Sequence, residues 1–158
     1  IELVSSVLTD LKLDDLPKYE PVADPPAGYV RLIYGRAPVH SFARSENNAW
    51  LDDLMPENPV WLSTEAASKF GLKDGQKVIL ENQDGVKSPA ATLKVTPAMR
   101  SDVAYTVHGF GPQAPGLKKA YQHGFSDTAL MTRVAIDPLV GATGMRVNFV
   151  RVLAAEKA

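Results

Sequence analysis

Apolar and polar positions alternate over Tyr29–Tyr34, with Val30, Leu32 and Tyr34 on one face and Tyr29, Arg31 and Ile33 on the other, which predicts a strand. Val60–Leu62 is a short apolar run that also predicts a strand. Ser63 is a good N-cap, Thr64–Phe70 has helical character and Gly71 stops it. Asp74-Gly75 turns the chain into a strand at Lys77–Asn82, and Asp84-Gly85 turns it again toward a strand at Ala91–Val95. Val103–Val107 is a further apolar run, broken by Gly109 and Gly111. Leu117–His123 predicts a helix ending at Gly124, and Met145–Leu153 alternates again. Short strands, two short helices and many turn signals predict a mainly β fold with short helices, a β-barrel with peripheral helices.

The first 28 residues differ in texture. They hold six acids (Glu2, Asp10, Asp14, Asp15, Glu20, Asp24) against Lys12 and Lys18, a net charge of −4, so the other 130 residues carry +3 of the chain's −1. Pro17, Pro21, Pro25 and Pro26 fall there too. The expected reading is an extended acidic linker over 1–28 followed by a barrel over 29–158. The start at Ile1, with no initiator methionine or signal-like segment, adds the expectation that the chain is a processed product or a piece of a longer protein. At 158 residues it suits one domain, burying roughly 70% of its unfolded surface.

Composition narrows the chemistry. The near-zero net charge supplies no field for nucleic acid, and no apolar run approaches the roughly 20 residues of a membrane helix. With no cysteine, the chain holds no disulfide, thiolate zinc site, cysteine-ligated iron–sulfur cluster or cysteine nucleophile. The glycines around Gly71–Lys77 are wrongly spaced for a phosphate loop. Gly109-Phe-Gly111 is followed by prolines and does not complete a dinucleotide fingerprint. Gly124-Phe-Ser126 lacks the second glycine of a nucleophile elbow. His40, His108 and His123 lie far apart, which argues against a metal site. Asp52-Asp53 reads as a solvated helix end or turn.

Two segments are too polar and glycine-rich for plain connectors. Gly35–Asn48 supplies two guanidinium groups, an imidazole, two hydroxyls and two carboxamides in fourteen residues. Arg36 and Arg44 can clamp phosphate or a ring carbonyl, and Asn47 and Asn48 can pair with the edge of a heterocycle. The competing reading is a solvent loop with Asn-Asn as a helix cap. In Val107–Pro112, Gly109 and Gly111 flank Phe110 at a strand end, where backbone amides can approach a ligand and His108 can bond a pterin or phosphate oxygen. The competing reading is a strand exit with Phe110 in the core.

These residues carry a resemblance. The run Tyr34–Asn48, then Ala66–Gly75 (AASKFGLKDG), Asp84-Gly85, His108–Gly111 and Asn148–Val152 (NFVRV) resemble, in order, the C-terminal molybdopterin-dinucleotide-binding domain of molybdenum oxidoreductases related to dimethyl sulfoxide reductase. Within that family, YGRAPVHSFARSENN, ENPVWL, HGFG, GFSDTAL and the lead IEL…LPKYEP are similar to the catalytic subunits of thiosulfate and polysulfide reductases. The resemblance implies a double-psi β-barrel (aspartate-decarboxylase-like, formate dehydrogenase C-terminal-domain-like). It implies a wall of the cleft for bis(molybdopterin guanine dinucleotide) with Mo or W. Carried over by position, Gly35, Arg36, His40, Ser41, Arg44, Asn47 and Asn48 line the cofactor from the first loop, His108, Gly109, Phe110 and Gly111 from the second, and Asn148 at a pterin. It implies no catalytic residue and no metal ligand in this chain, a 4Fe-4S cluster only in preceding domains, and an inactive isolated domain. The implied partners are those preceding domains, an iron–sulfur electron-transfer subunit and a membrane quinol-oxidising subunit, in the periplasm.

Two other classes compete. One is a free-standing double-psi barrel that binds a protein or peptide, as in the N-terminal domains of some ATP-driven unfoldases; clustered Arg, His and Asn argue against it. The other, a self-processing decarboxylase barrel, needs a Gly-Ser pair that the sequence lacks.

Overall fold

The computed structural model describes residues 4–155 apart from Asp15, Pro17, Glu20 and Leu139. The lead residues 1–3, part of the motif reading, lie outside the described residues. The elements are α1 (Ser6–Asp10), β1 (Val30–Gly35), α2 (Ala49–Asp52), β2 (Val60–Leu62), α3 (Thr64–Lys69), β3 (Lys77–Asn82), β4 (Ala91–Val95), β5 (Val103–Val107), β6 (Ala135–Ile136), β7 (Thr143–Gly144) and β8 (Phe149–Ala154). Single 3-10 turns occupy Phe42–Arg44 and Thr128–Leu130.

Six strands close into a barrel in the order β1-β5-β2-β4-β3-β8. β1–β5 and β2–β4 pair in parallel, and the remaining neighbours are antiparallel. This is the mainly β barrel with short helices that the sequence pattern predicts, of the double-psi type that the resemblance implies. The alternation that predicts β1 is visible in its burial: Val30 and Leu32 point into the core at 3% and 1% exposure. Leu62, Val78, Leu80, Leu93, Val150 and Phe125 fill the same interior. Ser63 caps α3 by accepting from the Ala66 amide at 2.9 Å, and Asp74 accepts from the Val95 amide at 2.7 Å, fixing the turn before β3 to β4.

The segment from His108 to Asn148 is long and mostly irregular, and it carries part of the site. Three asparagines, each 0% exposed, fasten it to the barrel. Asn58 donates to the carbonyls of Val107 (2.9 Å) and Phe125 (3.0 Å) and accepts from the Phe125 amide (2.9 Å). Asn82 donates to the Leu130 carbonyl (3.0 Å) and Thr132 Oγ1 (3.0 Å) and accepts from the amides of Asp84 and Val86. Asn148 donates to the carbonyls of Arg133 and Met145 (both 2.8 Å) and accepts from the Arg133 amide (3.0 Å) and Gln83 Nε2 (3.1 Å). A buried carboxamide with its groups paired holds a loop as a strand pairing would.

Two expectations are corrected. Residues 117–123 form turns and not a helix. One α-type bond forms, from the Tyr121 amide to the Leu117 carbonyl (3.1 Å), with Asn47 Oδ1 accepting from Lys119 (2.9 Å) and Ala120 (3.3 Å); the turn then breaks off, because Gln122 adopts φ +59° and donates to the Pro112 carbonyl (2.9 Å). Asp52 ends α2 but is not solvated; at 8% exposure it lies 3.2 Å from His123 Nδ1. In the acidic lead, α1 is one helical turn, and the Ala23 carbonyl accepts from Arg31 at 2.5 Å.

Candidate functional site

The end of β1 and the end of β5 lie side by side, because these strands pair in parallel with Gly35 opposite Val107. The two glycine-rich loops therefore leave the barrel together. Gly109 has φ +109°, and a Cβ there would lie 2.7 Å from the Ala43 amide nitrogen and 2.9 Å from the Phe42 carbonyl carbon. Gly111, at φ +77°, presses in the same way against Phe125 and Ser126. Only glycine allows both the conformation and the approach. The loops are stitched further by Asn47, by the Asp52–His123 contact and by the His40 ring edge on Phe110, at 5.4 Å.

The residues singled out in the sequence fall into two groups. Arg36, Ser41 and Arg44 are exposed on the first loop, and Gly35, His108 and Gly109 are half-buried at the two strand ends. The others are already engaged. His40 is 4% exposed, with Nε2 2.9 Å from the Met55 carbonyl and Nδ1 3.3 Å from Ser45 Oγ. Phe110 is buried in a small cluster with Ala37 and Val107, and Gly111 is buried beneath it. Asn48 Oδ1 caps α2 by accepting from the Trp50 (3.0 Å) and Leu51 (3.4 Å) amides. Asn148, placed at a pterin by position, is instead fully buried and pins the 133–145 segment.

The geometry adds residues that sequence reading missed. The His108 ring sits 5.4 Å from the Tyr34 ring and 5.1 Å from the Phe42 ring. The Arg146 guanidinium lies 5.5 Å from the Tyr34 centroid, and that of Arg36 lies 5.0 Å from the Phe42 centroid. These five side chains form one row, Arg146–Tyr34–His108–Phe42–Arg36, with a cation at each end. Phe42 holds φ +50°, a left-handed backbone unusual for an aromatic residue. Arg100, Arg133 and Arg151 each pair with a carboxylate, whereas Arg31, Arg36, Arg44 and Arg146 have no carboxylate ion pair among the described residues; Arg31 instead donates to the carbonyls of Ala23 and Arg146. Arg36 and His108 carry a signal in the sequence, but Tyr34 and Phe42 do not stand out there and Arg146 reaches the row from 112 residues away.

Two buried acids lie close by. Asp127 is 1% exposed and its Oδ2 is 2.8 Å from His108 Nδ1; Glu46 is 3% exposed. Asp127 Oδ1 and Glu46 Oε1 are buried with no partner. Burial, and then the nearby Asp127 charge, push the Glu46 carboxyl up to about 7. Arg36 also borders a groove of about 470 Å³ walled by Val39, Met55, Trp61 and Tyr105, into which Lys94 brings a cation 4.2 Å from the Trp61 ring. Among the described residues, no group of three His, Asp or Glu is arranged to hold a metal, and no helix is long and apolar enough to cross a membrane.

The arrangement suits an anionic ligand with planar rings, and comparison with known proteins agrees. Residues 30–148 match the family model described as "Molydopterin dinucleotide binding domain". The chain is 30% identical over 135 residues to the thiosulfate reductase molybdopterin-containing subunit PhsA of Salmonella typhimurium, covering 85% of this chain and 18% of that protein. The chain thus spans less than a fifth of that relative's length. Acetylene hydratase from Pelobacter acetylenicus shares the fold, with TM-score 0.69 at 19% identity over 97% of this chain and 23% of that one. The chain belongs to the molybdopterin dinucleotide-binding domain family.

Proposed function

We propose that this chain forms one wall of the cleft for bis(molybdopterin guanine dinucleotide), with Mo or W, in an oxidoreductase that reduces thiosulfate or polysulfide. The observation that carries the reading is the row of rings ending in arginines without carboxylate partners. The residues fit the group. Arg36, Arg44 and Arg146 offer guanidinium forks to pyrophosphate, Tyr34 and Phe42 offer ring faces, and Gly109 lets backbone come close. Gly35, Ser41 and His108 add polar contacts, while His40, Asn47, Asn48, Phe110, Gly111 and Asn148 hold the loops in shape. When bound, the cofactor supplies the two-electron redox chemistry, and the protein binds, orients and sets the local charge. The likeness to a thiosulfate reductase subunit supports the sulfur-reducing assignment. In this reading, preceding domains supply the opposite wall and the 4Fe-4S cluster, residues 1–28 form the connecting strap, and electrons arrive through an iron–sulfur subunit from a membrane quinol-oxidising subunit in the periplasm.

The test is Arg36→Ala in the cofactor-loaded protein, read as metal and guanine content per chain. Truncating an arginine whose pair with phosphate is buried by the bound cofactor costs about 2–5 kcal/mol, so occupancy falls steeply. Lys87→Ala, on the exposed turn between β3 and β4, leaves occupancy unchanged. Full metal and guanine content in Arg36→Ala refutes the assignment.

A further inference from the structure

His108 is held from three sides. Tyr34 and Phe42 fix its plane, at interplanar angles of 42° and 79°, and Asp127 fixes its edge. Asp127 is itself immobilised: Asn58 anchors Phe125 two residues before it, Asn82 anchors Leu130 three residues after it, and its own carbonyl accepts from the Leu130 amide at 3.0 Å. An ionised carboxylate only accepts hydrogen bonds, so the Asp127 contact requires the proton on Nδ1. Nε2 has no partner among the described residues, and it is not among the buried unpartnered atoms, so it remains accessible.

Charge is segregated along the row. Its ends carry Arg146 and Arg36, while His108 at its centre bonds the buried Asp127, and the buried Glu46 lies against the neighbouring Gly109 and close to Asp127. Phosphate oxygens are attracted to the ends and repelled from the centre. We propose that Asp127 is a positioning residue that fixes His108 as the Nδ1–H tautomer, so that Nε2 meets the ligand as a hydrogen-bond acceptor. His108 then selects an N–H edge of a ring, such as the amino-pyrimidine edge of a pterin or guanine, and not a phosphate oxygen. The inference rests on the cofactor reading above for the identity of the ring.

The tautomer is measured first, on the full 158-residue chain labelled with ¹⁵N-histidine, by long-range proton–nitrogen correlation at pH 8.5, where an ordinary imidazole is neutral. The expected spectrum of His108 has Nδ1 protonated and Nε2 bare. The Nε2–H form, which an unconstrained imidazole favours, overturns the proposal. Inorganic pyrophosphate is then added; His108 is expected to keep its bare Nε2, and protonation of Nε2 on addition overturns the choice of a ring edge. In the cofactor-loaded protein, His108→Ala and Asp127→Asn are each expected to lower guanine content about tenfold, the scale of removing a group that orients a ligand-binding histidine. Full retention in Asp127→Asn with loss in His108→Ala overturns the positioning role. Loss in Arg36→Ala with retention in both His108→Ala and Asp127→Asn overturns this inference alone. Retention in all three overturns the cofactor reading as well.

Discussion

Glu46→Gln isolates the cost of the buried acid. Glu46 lies against Gly109, with Oε1 unpartnered, and beside Asp127, so its ionised form is opposed by both desolvation and charge. The carboxyl moves from 4.5 to about 7 in the folded chain. At about 1.36 kcal/mol per unit that is roughly 3 kcal/mol, and screening by water at the loop edge reduces it to about 2 kcal/mol. The group is raised in the folded state. Its contribution to stability is therefore full below about 4.5 and is lost as pH rises through 7. Glutamine keeps the shape of the protonated acid and does not titrate. The variant is thus expected to be more stable than the parent, with the gap widening by about 2 kcal/mol between pH 5 and pH 8, or some 4–8 °C in Tm for a chain of this size. The assay is urea unfolding of both proteins, followed by circular dichroism across that range. Taking the difference removes every titration the two share. A gap that stays constant or narrows with rising pH refutes the reasoning.

Other sites give equally direct tests. Gly109→Ala places a Cβ 2.7 Å from the Ala43 amide nitrogen at φ +109°, so it is expected to cost about 2–3 kcal/mol in urea unfolding and to lower cofactor content by separating the loops. Asn58→Ala removes three buried hydrogen bonds and is expected to cost about 2–4 kcal/mol, with hydrogen exchange rising first at Phe125. Asp84 is held well below the usual carboxylate range chiefly by Arg133, then by Thr132 and Gln83. Asp84→Asn is expected to lower Tm at pH 7. Because the Asp84 pKa is depressed, the gap to the parent closes as pH falls below 3.8, and thermal scans down to pH 2.5 check it.

Much of this fold was legible in local pattern. The period-two runs at β1 and β8, the apolar runs at β2 and β5, the serine cap of α3 and the Asp-Gly turns at 74–75 and 84–85 are decided by neighbours within a few residues. The helix expected at 117–123 stops after one turn because Gln122 takes a left-handed backbone and gives its amide to the Pro112 carbonyl, ten positions back. The site was half legible. The composition of 35–48 flagged a polar loop, but composition does not say which way a side chain turns. His40 and Asn48 turn to their own loop and to α2, and Asn148 turns to Arg133 and Met145. Tyr34 is an ordinary strand residue until the parallel pairing with β5 brings His108 beside it.

What separates the site from the rest of the molecule is where unsatisfied groups collect. Away from it, several carboxylates have cationic partners: Asp84 has Arg133, Glu81 has Arg151 and Lys87, and Asp102 has Arg100. The buried asparagines are paired, and glycines with positive φ in the turns at 71, 75 and 85 meet nothing that a Cβ would touch. Around the two loops the opposite holds. Arg36, Arg44 and Arg146 lack carboxylates, Glu46 and Asp127 each bury an unpartnered oxygen, Phe42 holds a left-handed backbone, and Trp61 Nε1 is unpartnered in the groove beside Arg36. The buried unpartnered atoms and the strained Phe42 backbone cost stability, whereas the exposed arginines are solvated, and a barrel with an otherwise consistent core can tolerate several such costs. Their convergence on one edge, with acceptors at the centre and cations at the ends, is what a ligand with phosphates and ring N–H groups would satisfy together.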